Sequence, residues 1–130
     1  MDPLTEAAWQ ALEHALCSYS GFPVGAALRT ADGRIFTGCN IENASYGLTV
    51  CAERVALWKA LSEGVRGFAE IVVVTNAAKP TTPCGACRQL LWEYCGDIPV
   101  TSVTRDGTRL TRQMATLLPY GFDRESLPLG

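Results

Sequence analysis

Three cysteines and one glutamate are the residues of this chain best suited to chemistry. Cys51, Cys84 and Cys87 supply three soft thiolates, and the two residues between Cys84 and Cys87 let both sulfurs reach one tetrahedral zinc ion. Three protein ligands leave a fourth position open to water, which distinguishes a catalytic zinc from a structural one. Water held there has its pKa lowered to about 7 and becomes a nucleophile near neutral pH. These residues predict a hydrolytic zinc site.

Glu53 lies two residues after Cys51 and is the predicted carrier of protons to and from that water. A carboxylate is not needed as a ligand where three thiolates are present. The three thiolates carry more negative charge than one divalent cation balances, and this excess would make the bound water a weaker acid. Arg54 and Arg88, which lie close to the ligands in the sequence, are expected to offset the excess.

Both cysteine segments are predicted to begin helices. Apolar residues follow Cys51 until Gly64 and follow Cys84 until Gly96, and glycine commonly ends a helix. Cys51 and Cys84 would then lie at helix N-termini, where the helix dipole and the free N–H groups favour thiolate over thiol.

The remaining elements alternate between helix and strand patterns. A helical stripe runs from Leu4 to Leu16, with Asp2 as its predicted cap and Pro3 near its first position. Strands are expected at 24–29, 34–39, 69–75, 98–104 and 108–111, and a short helix at 112–117. The small residues at 25–27 imply close packing, which we expect from one of the zinc-site helices. This order predicts an α/β fold of three layers, α/β/α, around a central mixed β-sheet.

Composition limits the functions available to the chain. Its 130 residues, of which 48% are hydrophobic and 18% charged, predict a single domain over 1–130. With a net charge of −2, the chain lacks the excess of basic residues expected of a nucleic-acid binder. This charge favours a small, roughly neutral substrate. With no signal-like N-terminus and no apolar run long enough for a membrane span, we expect a cytoplasmic location and no membrane partner. Six cysteines in such a chain favour metal binding over disulfides.

A polar segment before the first ligand carries an amide and a carboxylate. Asn40 and Glu42 alternate with Ile41, so both side chains can face one side and offer hydrogen bonds to sugar hydroxyls. The same two side chains can equally satisfy backbone groups of a loop. The residues alone leave both interpretations open.

Taken together, these motifs resemble the cytidine deaminase family in its small, homotetrameric, three-cysteine form. The resemblance runs from about Leu4 to Phe122 and rests on segments 19–27 (YSGFPVGAA), 38–46 (GCNIENASY), 49–54 (TVCAER), 82–89 (TPCGACRQ) and 117–122 (LLPYGF). It implies the three-layer fold of that family, one Zn²⁺ per subunit held by the three cysteines, and Glu53 as the proton shuttle.

The resemblance also implies a set of substrate-binding residues, which are Phe22, Asn40, Glu42, Tyr46, Ala52 and Phe122. Phe22 would pack against the nucleoside, and Asn40 and Glu42 would hydrogen-bond the 3′-hydroxyl. The Ala52 backbone would lie near the base. Phe122 would reach the base bound by a neighbouring subunit, so active sites would be shared within a homotetramer.

The implied reaction is the hydrolytic deamination of cytidine and deoxycytidine to uridine and deoxyuridine, a step of pyrimidine salvage that releases ammonia. Glu53 would take a proton from the water at the zinc and pass protons to N3 and to the leaving amine. The expected partner is a small-molecule nucleoside.

Three other functions could use some of the same residues. A structural zinc in an interaction module needs a fourth protein ligand, but we expect Cys17, Cys39 and Cys95 to be buried hydrophobes. A thiol redox protein could use Cys84 and Cys87, but Cys51 and Glu53 would then have no role. A deaminase of another amino-heterocycle, such as an aminonucleoside antibiotic or a nucleotide, would use the same metal site. A phosphorylated substrate calls for basic residues near the sugar, and the matching nucleoside segments contain none.

Overall fold

A computed structural model describes residues 1–128, in which five strands form one mixed sheet. The strands are β1 Val24–Thr30, β2 Ile35–Cys39, β3 Phe68–Thr75, β4 Pro99–Val103 and β5 Arg109–Gln113. Their order across the sheet is β2-β1-β3-β4-β5. The β3–β4 pair is parallel and the other three pairs are antiparallel, which confirms the predicted mixed sheet. Of the expected domain 1–130, residues 129 and 130 lie outside the described residues.

Helices cover both faces of the sheet. They are α1 Pro3–Leu12, α2 Ala52–Ser62, α3 Gly85–Cys95 and α4 Met114–Leu117. One apolar cluster joins α1 to side chains of β1, β3 and β4, and a second cluster joins α2, α3 and α4 to the opposite face. The predicted α/β/α layering is therefore confirmed. Within residues 1–128, none of the helices combines the length and the apolar character needed to cross a bilayer.

Two predicted helix boundaries differ from the structure. The cap is confirmed, because Asp2 Oδ1 accepts a hydrogen bond from the Thr5 backbone N–H at 2.9 Å. However, α1 ends at Leu12 and does not continue to Leu16, whose backbone instead pairs with the chain at residues 40–42. Tertiary pairing here outweighs the helical pattern of the sequence. The last helix begins at 114 and not at 112, because residues 112 and 113 belong to β5.

The tight packing predicted at residues 25–27 comes from two helices on opposite faces of β1. A Cβ atom on Gly25 would lie 2.1 Å from the carbonyl oxygen of Ala8, so α1 and not a zinc-site helix packs there, and the prediction is wrong at this position. Ala26, on the other face, belongs to the same cluster as Ala52 of α2. The helix α2 packs closely on Gly38 of β2, where a Cβ atom would lie 2.3 Å from the Ala52 carbonyl oxygen.

Candidate active site

The three predicted ligands meet at the start of two helices. Cys51 is the N-cap of α2 and Cys84 is the N-cap of α3, as predicted, and Cys87 lies in the first turn of α3. The sulfurs of Cys51 and Cys84, 33 residues apart in the sequence, are 3.9 Å from each other. All three sulfurs lie within 4.8 Å of one another.

This spacing fits a tetrahedral zinc ion. Two zinc–sulfur bonds of about 2.3 Å at a tetrahedral angle place their sulfurs about 3.8 Å apart, close to the 3.9 Å between Cys51 and Cys84. The hydrogen bond between Cys87 and Cys51 raises the pKa of Cys87 and lowers that of Cys51, so the two thiols favour sharing a proton. A bound cation would favour the thiolate forms of Cys51 and Cys87. The donor set therefore suits Zn²⁺.

The other cysteines lie away from this cluster. Cys17, Cys39 and Cys95 are half-buried, so they are less buried than the predicted buried hydrophobes. Burial raises the pKa of Cys39, and it raises the pKa of Cys95 to about 12. The Cys39 and Cys95 thiols are therefore protonated at neutral pH. Within residues 1–128 the metal-binding group contains the three predicted sulfurs and no fourth one.

Glu53 lies in the first turn of α2 and is only 5% exposed. Burial of the carboxylate raises the pKa of Glu53 to about 7. A general acid–base group works best when its pKa is near the working pH, so this carboxyl group can both accept and donate protons. It lines the same pocket as Cys51 and Cys84.

The two arginines near the ligands have different environments. Arg54 lowers the pKa of Cys51 by its charge, although less than the Cys87 thiol does. Its buried Nε atom has no hydrogen-bond partner in the described part of the chain. Arg88 donates to the carbonyl oxygens of Pro83 and Leu117 and to the Thr82 hydroxyl. The charge-balancing role predicted for both arginines therefore has structural support for Arg54 only.

A pocket of about 300 Å³ opens beside the sulfurs. This volume lies at the lower end of the range for small-molecule sites. Among the predicted substrate-binding residues, Phe22, Asn40, Glu42 and Ala52 line it. Its lining also includes Val73, Thr81 and Thr82, which the sequence reasoning did not identify. The two threonines lie within three residues of Cys84 and could have been found from that proximity, whereas Val73 depends on which face of β3 points at the pocket.

Asn40 and Glu42 both hold the loop that forms one wall of this pocket. The Asn40 side chain accepts from the Val24 backbone N–H at 2.9 Å and donates to the Phe22 carbonyl oxygen at 2.8 Å. The Glu42 carboxylate accepts from the backbone N–H groups of Tyr19 and Ser20 at 3.1 and 3.0 Å.

The Ser20 hydroxyl also donates to Glu42 and lowers its pKa. The loop-supporting interpretation of Asn40 and Glu42 is therefore present in the structure, and their contact with a sugar hydroxyl stays a prediction.

The last two predicted substrate-binding residues lie outside the pocket. Tyr46 is 75% exposed and packs edge-on against Tyr19, with ring centroids 5.9 Å apart. Phe122 is 55% exposed, and its carbonyl oxygen accepts from the Gln89 side chain at 2.7 Å. Tyr46 lines an adjoining pocket with Ser20, Glu42 and Thr49, which also line the site pocket, whereas Phe122 lines neither of these two pockets.

Comparisons with known proteins agree with this geometry. A family model described as the cytidine and deoxycytidylate deaminase zinc-binding region matches residues 2–101. A cytidine deaminase of Sporosarcina psychrophila is 49% identical over 119 residues, which cover 91% of this chain and 88% of that protein. A more distant relative, the blasticidin-S deaminase of Bacillus cereus, is 33% identical over 78% of this chain and 77% of its own length.

Among solved structures, a cytidine deaminase from Burkholderia pseudomallei superimposes with a TM-score of 0.90 at 47% identity, covering 94% of this chain and all of the other. The residues matched by the family model include Cys51, Glu53, Cys84 and Cys87. The chain therefore belongs to the cytidine and deoxycytidylate deaminase family.

Proposed function

We propose that the protein catalyses the zinc-dependent hydrolytic deamination of cytidine and deoxycytidine to uridine and deoxyuridine, with release of ammonia. The observation that carries this proposal is the placement of buried Glu53 in the same pocket as Cys51 and Cys84, two of the three cysteines whose sulfurs are spaced for zinc. The similarity to cytidine deaminases over most of the chain supports it. Pyrimidine salvage is the matching cellular role.

The cysteines, Glu53 and Arg54 have separate roles in the proposed reaction. Cys51, Cys84 and Cys87 would hold the zinc ion, which when bound would lower the pKa of a water molecule and so favour its use as the nucleophile. Glu53 accepts the proton of that water and delivers protons to N3 and to the leaving amino group. Its carboxyl group can do both because burial raises its pKa to about 7. Arg54 reduces the excess negative charge around Cys51.

The pocket favours a nucleoside over a nucleotide. Phe22, Asn40 and Glu42 line the pocket, and we assign Phe22 to packing against the nucleoside and the Asn40 and Glu42 side chains to hydrogen bonds with its sugar hydroxyls. In the part of the chain that the structure describes, the residues lining the pocket include no lysine, arginine or histidine. A phosphate group would therefore enter without a cation to pair with.

We extend the proposal to a homotetramer that shares its active sites. Phe122 is exposed and lies outside the pocket of its own chain, which supports a role at the site of a neighbouring subunit. Light scattering on the purified protein should give a mass about four times that of one chain. A catalytically active monomer would rule out the shared site.

The reduced thiols that zinc needs support a cytoplasmic location, and the single sheet supports one catalytic domain over 1–130.

The test of the function is the ultraviolet absorbance change on mixing the zinc-loaded protein with cytidine, deoxycytidine, deoxycytidylate or blasticidin S in parallel. We expect fast conversion of the two nucleosides and slow or no conversion of the other compounds. The blasticidin-S deaminase among the relatives makes that antibiotic the second candidate substrate. Preference for it would replace the proposed substrate and retain the mechanism. A zinc-loaded protein inactive on all four compounds would contradict the proposal.

A further inference from the structure

Arg88 uses its whole guanidinium group on uncharged acceptors next to the metal site. Its Nε donates to the Pro83 carbonyl oxygen at 2.7 Å and its Nη2 to the Thr82 hydroxyl at 2.7 Å. Its Nη1 donates to the Leu117 carbonyl oxygen at 2.8 Å. These are short, charge-assisted hydrogen bonds in three directions from one planar group.

The acceptors belong to two segments that are far apart in the sequence. Residues 76–84 connect β3 to α3 without helix or strand, and their last three residues include Thr82, which lines the pocket, and Cys84, a metal ligand. Leu117 is the last residue of α4. Arg88 follows Cys87 directly in the first turn of α3, and its hydrogen bonds thus connect the pocket wall to α4.

The positive charge of Arg88 and the geometry of its three hydrogen bonds can be tested separately. Arg54 is the arginine whose charge lowers the pKa of Cys51, whereas each of the three Arg88 contacts ends on a neutral oxygen. A lysine would keep the positive charge but cannot reach three acceptors in these fixed directions.

We propose that Arg88 is a positioning residue, which holds the Thr82–Cys84 wall in the geometry needed for metal and substrate through its three hydrogen bonds and not through its charge. The kinetic part of this inference rests on the proposed deaminase function, and the metal-binding part does not. Arg88 thus influences the reaction through Cys84 and Thr82 and does not itself contact the reacting atoms.

The test compares Arg88→Lys with Arg88→Gln. Because both variants lose the three-way geometry, both should weaken zinc binding roughly 10- to 100-fold in a chelator competition, as removal of a residue supporting a ligand does. Both should also lose cytidine kcat/KM by roughly ten- to a hundredfold, the size expected when a wall of the site shifts by about 1 Å. In the cobalt-loaded variants, the near-ultraviolet thiolate-to-cobalt charge-transfer absorption should retain its three-thiolate intensity, while the visible d–d bands should change in shape.

A role in charge balance gives a different pattern. Arg88→Lys would then keep near-normal zinc affinity and kcat/KM, and only Arg88→Gln would lose them; that result would overturn the proposal. Arg112→Lys and Arg112→Gln provide matched controls, because Arg112 lies exposed on β5 and donates to the carbonyl oxygen of its neighbour Thr111. These controls should bind zinc and turn over cytidine as the unaltered protein does.

Thr82→Val serves as the test if the Arg88 variants do not fold. It keeps the side-chain shape and removes one of the three acceptors, so zinc affinity should fall by less than in the Arg88 variants but measurably. Unchanged zinc affinity in Thr82→Val would contradict the inference. An unaltered protein that is inactive on cytidine would instead contradict the proposed function, while the zinc measurements would still decide the role of Arg88.

Discussion

Replacing Glu53 with glutamine tests the assignment of the proton carrier most directly. Glutamine has nearly the same volume and cannot accept a proton, so the buried site at 5% exposure keeps its packing and loses only its acid–base function. A positioned acid or base contributes about 10²–10⁴ in rate per transfer. Glu53 takes part in more than one transfer, so we expect kcat to fall at least about 10³-fold, equivalent to about 4 kcal/mol of transition-state stabilisation.

The assay is the loss of cytidine absorbance with time, together with zinc content and cytidine binding by calorimetry. Zinc and nucleoside binding should persist in Glu53→Gln, because the three sulfurs supply the ligands. Glu63→Gln is the matched control, since Glu63 caps the other end of α2 and is exposed. Near-normal turnover by zinc-loaded Glu53→Gln would refute the reasoning, as would an equal loss in Glu63→Gln.

Three further predictions concern the scaffold and the metal. Asp2→Ala should cost about 1 kcal/mol of unfolding free energy at neutral pH, because α1 loses its cap. The hydrogen bond from the Thr5 backbone lowers the pKa of Asp2 below its ordinary 3.8, so the cap contributes above that value and is lost as the pH falls through the lower folded pKa. Denaturant unfolding curves of the two proteins should therefore converge in acid. Gly38→Ala places a Cβ atom 2.3 Å from the Ala52 carbonyl oxygen and should cost about 1–3 kcal/mol and most of the activity. Gly67→Ala, whose Cβ atom would meet the Ala31 side chain at 3.3 Å, is the milder control in the same unfolding experiment. Stripping the metal with a chelator should abolish deamination and lower the melting temperature, and added zinc should restore both; full activity in a metal-free sample would exclude the zinc mechanism.

Much of the metal site was predictable because its signals are local. The two-residue gap between Cys84 and Cys87 lets both sulfurs point to one ion from the start of one helix. The apolar residues after Cys51 and the stop at Gly64 predicted α2 within one or two residues. Each of these features depends on neighbours in the sequence, which is why pattern and propensity describe them well.

Other features depended on which distant segments meet. The pairing of Leu16 with the chain at residues 40–42 ends α1 early, although its helical pattern continues. The environment of Arg88 is set by Leu117, 29 residues away, and no local pattern indicates that contact. The face of β3 that points at the pocket is decided by the packing of both helical layers, so Val73 could not be assigned to the site beforehand.

By itself, the sequence determined the ligand types, their spacing, the helices that begin at them and the carboxylate beside them, because these are properties of short stretches of chain. Three features depend on the tertiary structure alone: the Cys51 sulfur lies 3.9 Å from the Cys84 sulfur, Glu53 is buried with its pKa raised to about 7, and Arg88 donates to two backbone oxygens and the Thr82 hydroxyl. Burial, charge environment and long-range distance exist only once the layers pack around the sheet. The types and the spacing of the site residues are therefore local properties of the sequence, whereas their pKa values and the distances between them depend on the folded structure.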